Sequence, residues 1–358
     1  GIRSLNMGRQ DGDTLLINSM QIYGVDPLDP ESLEEGLRIG QAEAPRIVDY
    51  LKTAFEEFAG LEFAGTAPEL YVRETRHLVG EYRLTMTDLM ENRDHWDAIA
   101  YGAYEVDIQS LNASNKGSIM MVPEQYGVPF RCLVPLEVDG LLVVGRSASF
   151  DTLPHGSARV MPLGMATGEA AGAAAKLAQD RGMTFRELSR SKEGIAELRL
   201  RLERQGMDLT MRKFASPDYA RHKNYKGLLA AAGMHLTIGG YANDGWQLDQ
   251  PTNPRRFASQ VRNVQKRHPD VFGQTLNGTF LSGQPSDKPL SLEQAAQVVA
   301  YAAGLAEEKG GALKALVDRG WLTEETVKGI ADPKRLTNGD SFMLVRDVME
   351  YAVGEKFE

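Results

Sequence analysis

Cysteine is almost absent: Cys132 is the single one in 358 residues, which excludes an internal disulfide framework. It lies between Arg131 and Leu133 in an apolar stretch that reads as a strand, so a buried, inert thiol is expected rather than a nucleophile. No apolar run approaches the roughly 18–20 residues needed to span a bilayer, and no membrane span is expected. Gly1-Ile2-Arg3-Ser4 does not resemble a secretory signal. The six histidines are scattered with no H-x-x-x-H pair, so no metal is expected. A G-x-S-x-G nucleophile elbow is missing, as is any G-x-G-x-x-G turn between a strand and a helix. Positive charge is not in excess either: 40 basic against 49 acidic residues give a net charge of −9. That balance argues against nucleic acid and anionic membranes as partners. The basic pairs Arg255-Arg256 and Lys266-Arg267 are local and read as solvated helix faces.

What is present is ordinary in bulk and informative in one place. With 42% hydrophobic and 25% charged residues the chain has a globular make-up, and its length allows two or more domains. Leu141 to Ala178 reads as a buried strand ending in Gly145, a Gly-Arg turn, a polar loop and a small-residue helix. Four or five apolar residues closed by glycine suit a parallel strand covered on both faces. The helix is expected from about Met161 to Asp180, with Pro162 in its first turn, where a missing N–H costs little. Its glycines and alanines leave little bulk, so it can lie close to a sheet or a flat cofactor. Its first N–H groups, just after Ser157-Ala158-Arg159, form a place for negative charge.

Elsewhere the pattern is coarser. Residues 30–58 carry Leu33, Leu37, Ile47, Leu51 and Phe55 at helical spacing, with Pro45 expected to kink or break the run. Val72 to Val79 reads as a strand or a bend, and Thr85 to Asp88 as a capped helix start. Asn112 to Gly117 is a polar turn cluster, and residues 120–135 return to strands. A charged helix is expected from Thr184 to about Gln205, with Leu188, Ile195, Leu198, Leu200 and Leu202 as its apolar members. A boundary is placed near Ser216-Pro217-Asp218.

Three ordered segments carry a family resemblance: VPFRCLVP from Val128, DGLLVVGR from Asp139, and HGSARVMPLGMATGEAAGAAA from His155. Together they resemble the flavin-contacting part of FAD-dependent oxidoreductases with a glutathione-reductase-like fold, including bacterial members labelled xanthan lyases. VRETRHLVGEYRLTMTDLM from Val72 and YGAYEVDIQ from Tyr101 are similar to that family's substrate-side segments, in the same order. The likeness covers roughly residues 11–188. It implies an α/β, or α+β, FAD-binding fold, FAD as cofactor and a small organic, carbohydrate-derived substrate. The family's G-x-G-x-x-G turn, which receives the FAD pyrophosphate, is not in this sequence. A companion amino-terminal polypeptide or an oligomer partner is therefore expected to supply it.

The resemblance assigns sites. Gly145 brings backbone close to the ribityl chain, with Arg146 beside it. Gly156, Ser157, Ala158, Arg159, Val160, Met161 and Pro162 cover the isoalloxazine ring, where main-chain donors meet the negative charge that grows on reduction. His155 and Arg131 are the catalytic candidates, His155 because imidazole exchanges protons near neutrality. Arg76 and Asp107 are the substrate-side candidates. Arg76 could equally pair with Glu74 or Glu81, and Asp107 could orient Arg131 or His155.

The remaining third shows a weak internal repeat. QPTNPRRFASQV from Gln250, KPLSLEQAAQVV from Lys288 and KRLTNGDSFMLV from Lys334 each place a Thr or Ser before an amphipathic helix. Ser291 with Gln294, and Thr337 with Asp340, have capping-box spacing. Shorter helical pieces ending in glycine, Leu228 to Gly233 and Leu313 to Gly320, lie between them. Units of this size bury their apolar faces only together. They resemble three surface-layer homology repeats, which hold bacterial proteins to cell-wall polysaccharide, although the usual basic-acidic signature after the cap is not reproduced. The expected organisation is an oxidoreductase part over 1–215 (substrate side 1–127, flavin-contacting 128–182, linking helix 183–215) and repeats over 216–358. The leading expectation is an FAD-dependent oxidoreductase at the cell envelope or outside the cell, the alternative location being the cytoplasm. The alternative function is a non-enzymatic envelope or assembly protein on a retired flavoprotein scaffold.

Overall fold

The structure is a computed structural model that describes residues 2, 5–10, 12–114, 116–305 and 311–357. Two units emerge, Gly1–Arg76 with Gln109–Gly117, and His77–Ile108 with Ser118–Glu358. The Ser216-Pro217-Asp218 break thus falls inside the second unit.

In the first unit, β1 (Met7–Arg9) pairs antiparallel with β2 (Leu15–Ile17), Gly8 facing Leu16. Helix α1 (Pro30–Ala54) starts where Asp29 accepts the Glu31 N–H at 3.1 Å, and Pro30 takes the first turn. Of the kink or break expected at Pro45, the break does not occur, since the helix runs through it. Its missing N–H removes one bond of the ladder, while packing holds the earlier turns. A Cβ on Gly36 would lie 2.7 Å from Val25 and 2.8 Å from Leu70.

The second unit opens with irregular chain and α2 (Met86–Met90), whose N-cap Thr85 forms a capping box with Asp88 as expected. Strands β3 (Ala98–Gly102), β4 (Asp107–Ile108), β5 (Ser118–Ile119) and β6 (Tyr126–Pro129) follow. Among the described residues the ladders are antiparallel, β3 with β6 and β4 with β5. The architecture is therefore mixed: small sheets, helices packed on them, and a helical carboxy-terminal region.

The expected parallel strand at Leu141–Gly145 is not there. Residues 141–144 are extended without a ladder, Leu141 is 47% and Val144 36% exposed, and Gly145–Ser147 form a short 3-10 turn. A fully buried strand needs neighbours on both edges, and here Val143 donates to the Leu133 carbonyl while Leu78 and Leu84 reach Ser147 and Ser149. Cys132 sits in a 3-10 turn, Phe130–Leu133, rather than a strand.

After the turn come α3 (Thr152–Ala158) and α4 (Met161–Arg181). The expected polar loop from His155 to Arg159 is mostly helix α3, with His155 to Ala158 buried. Helix α4 spans the expected residues and ends at Gly182, whose φ of 61° is the left-handed cap position. The charged run after it is two helices rather than one. Thr184 caps α5 (Phe185–Arg190) and Ser191 caps α6 (Lys192–Arg204), because a Ser mid-run offers the backbone a new start. Leu188, Ile195, Leu198 and Leu202 are buried, whereas Leu200 is exposed.

Beyond residue 216 the chain is helical: α7 (Tyr225–Gly233), α8 (Pro254–Arg267), α9 (Gly278–Gly283), α10 (Leu292–Ala302), α11 (Ala312–Asp318), α12 (Glu324–Gly329) and α13 (Asn338–Val348). Ser291 and Thr337 form the expected capping boxes. At α8 the cap is Asn253, not Thr252, since Asn253 Oδ1 accepts the Arg256 N–H at 2.9 Å and Pro254 follows. The residues just before these three caps join in a closed ring. Thr252 N–H donates to Leu336 O (3.0 Å), Leu336 N–H to Leu290 O (2.8 Å) and Leu290 N–H to Thr252 O (3.1 Å).

Two apolar clusters fill the second unit. One runs from Leu84 through the strands and α4 to Phe342, the other is built from α8, α10, α13 and their neighbours. Helix α7 belongs to both, giving Leu228, Leu229, Ala231 and Ala232 to the first and Ala230 to the second. Its Gly227 allows α13 to cross closely, for a Cβ there would lie 2.6 Å from the Met343 nitrogen. Among the described residues, no helix is long and apolar enough to cross a membrane.

Candidate functional site

Gly145 has a φ of +65°, and a Cβ added to it would meet nothing within 4 Å. The nearest neighbour of a Cβ on Gly164, in the first turn of α4, is the Gly145 Cα at 3.9 Å. Turn and helix start are thus adjacent, and the ground in front of them is open. Met161 and Met165 are 79% and 75% exposed, and Cβ atoms on Gly168 and Gly172 would find empty space. One side of α4 is therefore a smooth, bare strip beginning at its amino terminus.

That terminus also lacks a side-chain cap, as do those of α3, α7 and α11. Thr85, Thr184, Ser191, Asn253, Ser291 and Thr337 each give a side-chain acceptor to the helix they start. The N-cap of α4 is Val160, which has none, and Pro162 lacks an N–H. The N–H groups of Met161 and Leu163 are directed out of the helix by its geometry, at the positive end of a 21-residue dipole. Arg146 lies exposed beside the Gly145 turn.

The residues just upstream serve the fold. Gly156 packs α3 on β4, since a Cβ would lie 3.0 Å from the Asp107 carbonyl oxygen. Ser157 donates to the Tyr104 carbonyl at 2.6 Å and lies 2.7 Å from the Tyr126 hydroxyl. Burial pushes that phenol well up, although the Ser157 contact works the other way. Ala158 is buried. Arg159 reaches Asp107 at 3.1 Å, its side chain only 9% exposed, so Asp107 is brought to Arg159 rather than to Arg131.

Arg131 is committed elsewhere. Its Nε and second guanidinium nitrogen donate to the two oxygens of Asp97 at 2.8 and 2.9 Å, and its backbone N–H adds a third bond at 3.1 Å. Asp97 is fully buried. The guanidinium stands 4.9 Å from the Tyr82 ring centre and 5.7 Å from that of Trp96. The Asp97 hydrogen bond, against the opposing effect of burial, holds Arg131 protonated. Cys132 behaves as expected: burial pushes its thiol well up.

His155 is 1% exposed, its ring edge-on to His77 at 4.7 Å between centres. Nothing local in the sequence marks His77 as its neighbour. Arg76 is exposed at the end of the first segment of the first unit, and Glu81, one partner considered for it, is taken by Arg186 and Arg190 at 3.1 and 2.8 Å.

A family model for FAD dependent oxidoreductases matches residues 2–202, more than half of the chain. The protein belongs to that family, whose cofactor is FAD. No curated protein and no solved structure matches it. Among the described residues, the bare backbone of Gly145 and the start of α4 without a side-chain cap leave the open space and free N–H groups that a flavin edge would use. A side chain at Gly145 would fill the approach.

Proposed function

We propose that this chain forms the ring-facing and substrate-side part of an FAD-dependent oxidoreductase of glutathione-reductase-like fold. The observation that carries the proposal is the joining of Gly145, open at positive φ, to the uncapped start of α4. Bound FAD supplies the hydride- or electron-accepting chemistry on an organic substrate. The chain's own contribution is placement and charge. Backbone at Gly145 admits close approach, and the Met161 and Leu163 N–H groups with the α4 dipole stabilise an anionic edge. Met161 and Met165 form an apolar wall that excludes water. The Arg159–Asp107 pair and the Ser157–Tyr126 contact hold α3, and with it His155, in position. His155 with His77 holds a proton at an imidazole nitrogen on the substrate side. In this reading the pyrophosphate-binding turn is contributed by a companion polypeptide or an oligomer partner.

The test is flavin uptake followed by fluorescence quenching and visible absorption, with the chain alone and with a companion carrying a G-x-G-x-x-G turn. Quenching is expected with the companion, and Gly145→Val is expected to abolish it, with thermal unfolding followed alongside to separate a blocked approach from the strain of a β-branched residue at this φ. Failure of every preparation to take up FAD refutes the proposal.

The helical region supports a second role for the same protein, attachment at the cell envelope. The closed backbone ring gives three segments equivalent places, which supports a threefold repeat. Sedimentation with purified cell-wall polysaccharide tests this. Attachment predicts co-sedimentation that is lost on deleting residues 250–358, and a chain that stays in the supernatant overturns it.

A further inference from the structure

The extended segment formed by Leu141, Leu142, Val143 and Val144 has one side without partners. Val143 donates to the Leu133 carbonyl at 2.9 Å. Backbone groups point to alternate sides along an extended chain, so those of Leu142 and Val144 face away from Leu133. Among the described residues, nothing donates to or accepts from the backbone of either. Val144 has φ of −119° and ψ of 170°, inside the region that a ladder needs. Gly140 and Gly145, at φ of +74° and +65°, bound the segment at its two ends.

The surface beside this open edge is apolar. Val79, Leu136, Val138, Leu141 and Val144 are 36–72% exposed, and the Leu136 N–H donates to the Val79 carbonyl at 2.9 Å, which sets those two side by side. Exposed apolar residues standing singly need no account, but a group of them marks an interaction surface. Solvated edges are usually blunted by lysine, proline or a bulge, whereas residues 140–145 carry no charge and no proline. Alternate backbone groups along such an edge are matched by another strand, not by a helix.

Charge at the ends of the segment selects the strand. Glu137 and Asp139 precede it and Arg146 follows it, all three exposed. Asp139 holds Arg186 at 2.9 Å, whereas Glu137 meets no cation among the described residues. Two copies of this edge paired in parallel would set acid beside acid and Arg146 beside Arg146. Paired antiparallel, the acidic end of each copy lies along the Arg146 end of the other.

We infer that this edge joins a second copy of the chain, residues 141–144 of the two molecules pairing antiparallel about a twofold axis at Val143. Leu142 of one copy exchanges two hydrogen bonds with Val144 of the other, and the same exchange recurs across the axis. Such a contact uses one patch on both copies, so it closes at two molecules and does not propagate into a fibre. Leu141 and Val144 leave water on pairing, with Leu136 and Val138 beside them. The inference does not depend on flavin binding.

The test is sedimentation equilibrium of the full chain over about 1–100 μM. A species of twice 39.4 kDa is expected at the upper end. Leu141→Lys with Val144→Lys sets like charges across the paired edges and is expected to weaken association about tenfold or more. Its urea midpoint should match that of the parent, because both side chains face solvent in the single chain. Glu137→Arg is expected to weaken association about fivefold, the effect of two exposed ion pairs, and adding Arg146→Glu should restore it. Val143→Cys, on the axis, is expected to give a disulfide-linked dimer on mild oxidation, since Cα atoms about 4.5 Å apart suit that bond; Cys132 is buried. A chain that is monomeric at about 100 μM overturns the inference, as does a dimer that survives the double lysine change. So does a chain that stays single and takes up the companion with the G-x-G-x-x-G turn at this edge, binding being lost on Leu141→Lys.

Discussion

Arg131 makes the sharpest quantitative prediction. Its guanidinium forks onto a carboxylate with no solvent exposure, and its own side chain is 24% exposed. Removing one member of such a pair strands a charge in a poor dielectric, a loss of about 3–5 kcal/mol. Two aromatic faces lie within cation–π reach, each contributing about 0.5–1 kcal/mol. Arg131→Ala is therefore expected to lower unfolding free energy by about 4 kcal/mol, since neighbouring contributions overlap. Arg131→Lys keeps the charge and loses the fork, so it should cost about 2 kcal/mol, taking one of two bonds as lost. Urea unfolding followed by circular dichroism measures both, and an unchanged slope shows that stability alone has moved. The double variant with Asp97→Ala should be little worse than Arg131→Ala, because the two changes break one interaction. A loss under about 1 kcal/mol for Arg131→Ala, the level of an exposed pair, would refute the structural role and leave the arginine available for a substrate.

Asp88 predicts a pH dependence. Burial by itself would raise its carboxyl, yet hydrogen bonds from His95, the Thr85 N–H and Tyr82 outweigh burial and hold it below its ordinary value. A depressed folded-state value stabilises above the unfolded value of about 4 and is lost as pH falls below it; Asp88→Asn should flatten the acid limb of a stability–pH curve, and an unaltered limb refutes this. Gly227→Ala should destabilise by about 1–3 kcal/mol, since α13 backbone at 2.6 Å must give way; thermal unfolding reads it, and a neutral result means that the helices are further apart. Gly168→Ala, with open space around it, should instead stabilise the isolated chain by about 0.5–1 kcal/mol through helix propensity, and a loss of stability would show that the strip on α4 is covered.

What could be read from sequence was local. Thr85 with Asp88, Ser291 with Gln294 and Thr337 with Asp340 act within one helical turn, so spacing alone announces them. The start of α4 followed from Pro162 in its first turn. The apolar run at Leu141 to Val144 misled because hydrophobicity marks burial, while a strand needs partners that the run cannot encode. The arginines show the same limit: Arg131 finds Asp97 34 residues away, and Arg159 finds Asp107 52 residues away. Charge pairing at such separations is set by the fold, and so is the approach of His77 to His155. The turn at Gly145 was legible as a place without a side chain, but not its positive φ or its contact with Gly164.

The three-bond closure among Thr252, Leu290 and Leu336 has a further consequence. A linear stack of helical repeats can shed an end unit and keep the rest, because each unit leans only on its neighbours. A cycle has no end. Excising any one of these segments leaves an amide and a carbonyl, on residues at most 2% exposed, without their counterparts. The region from 250 onward should therefore melt in one step rather than unravel from its terminus.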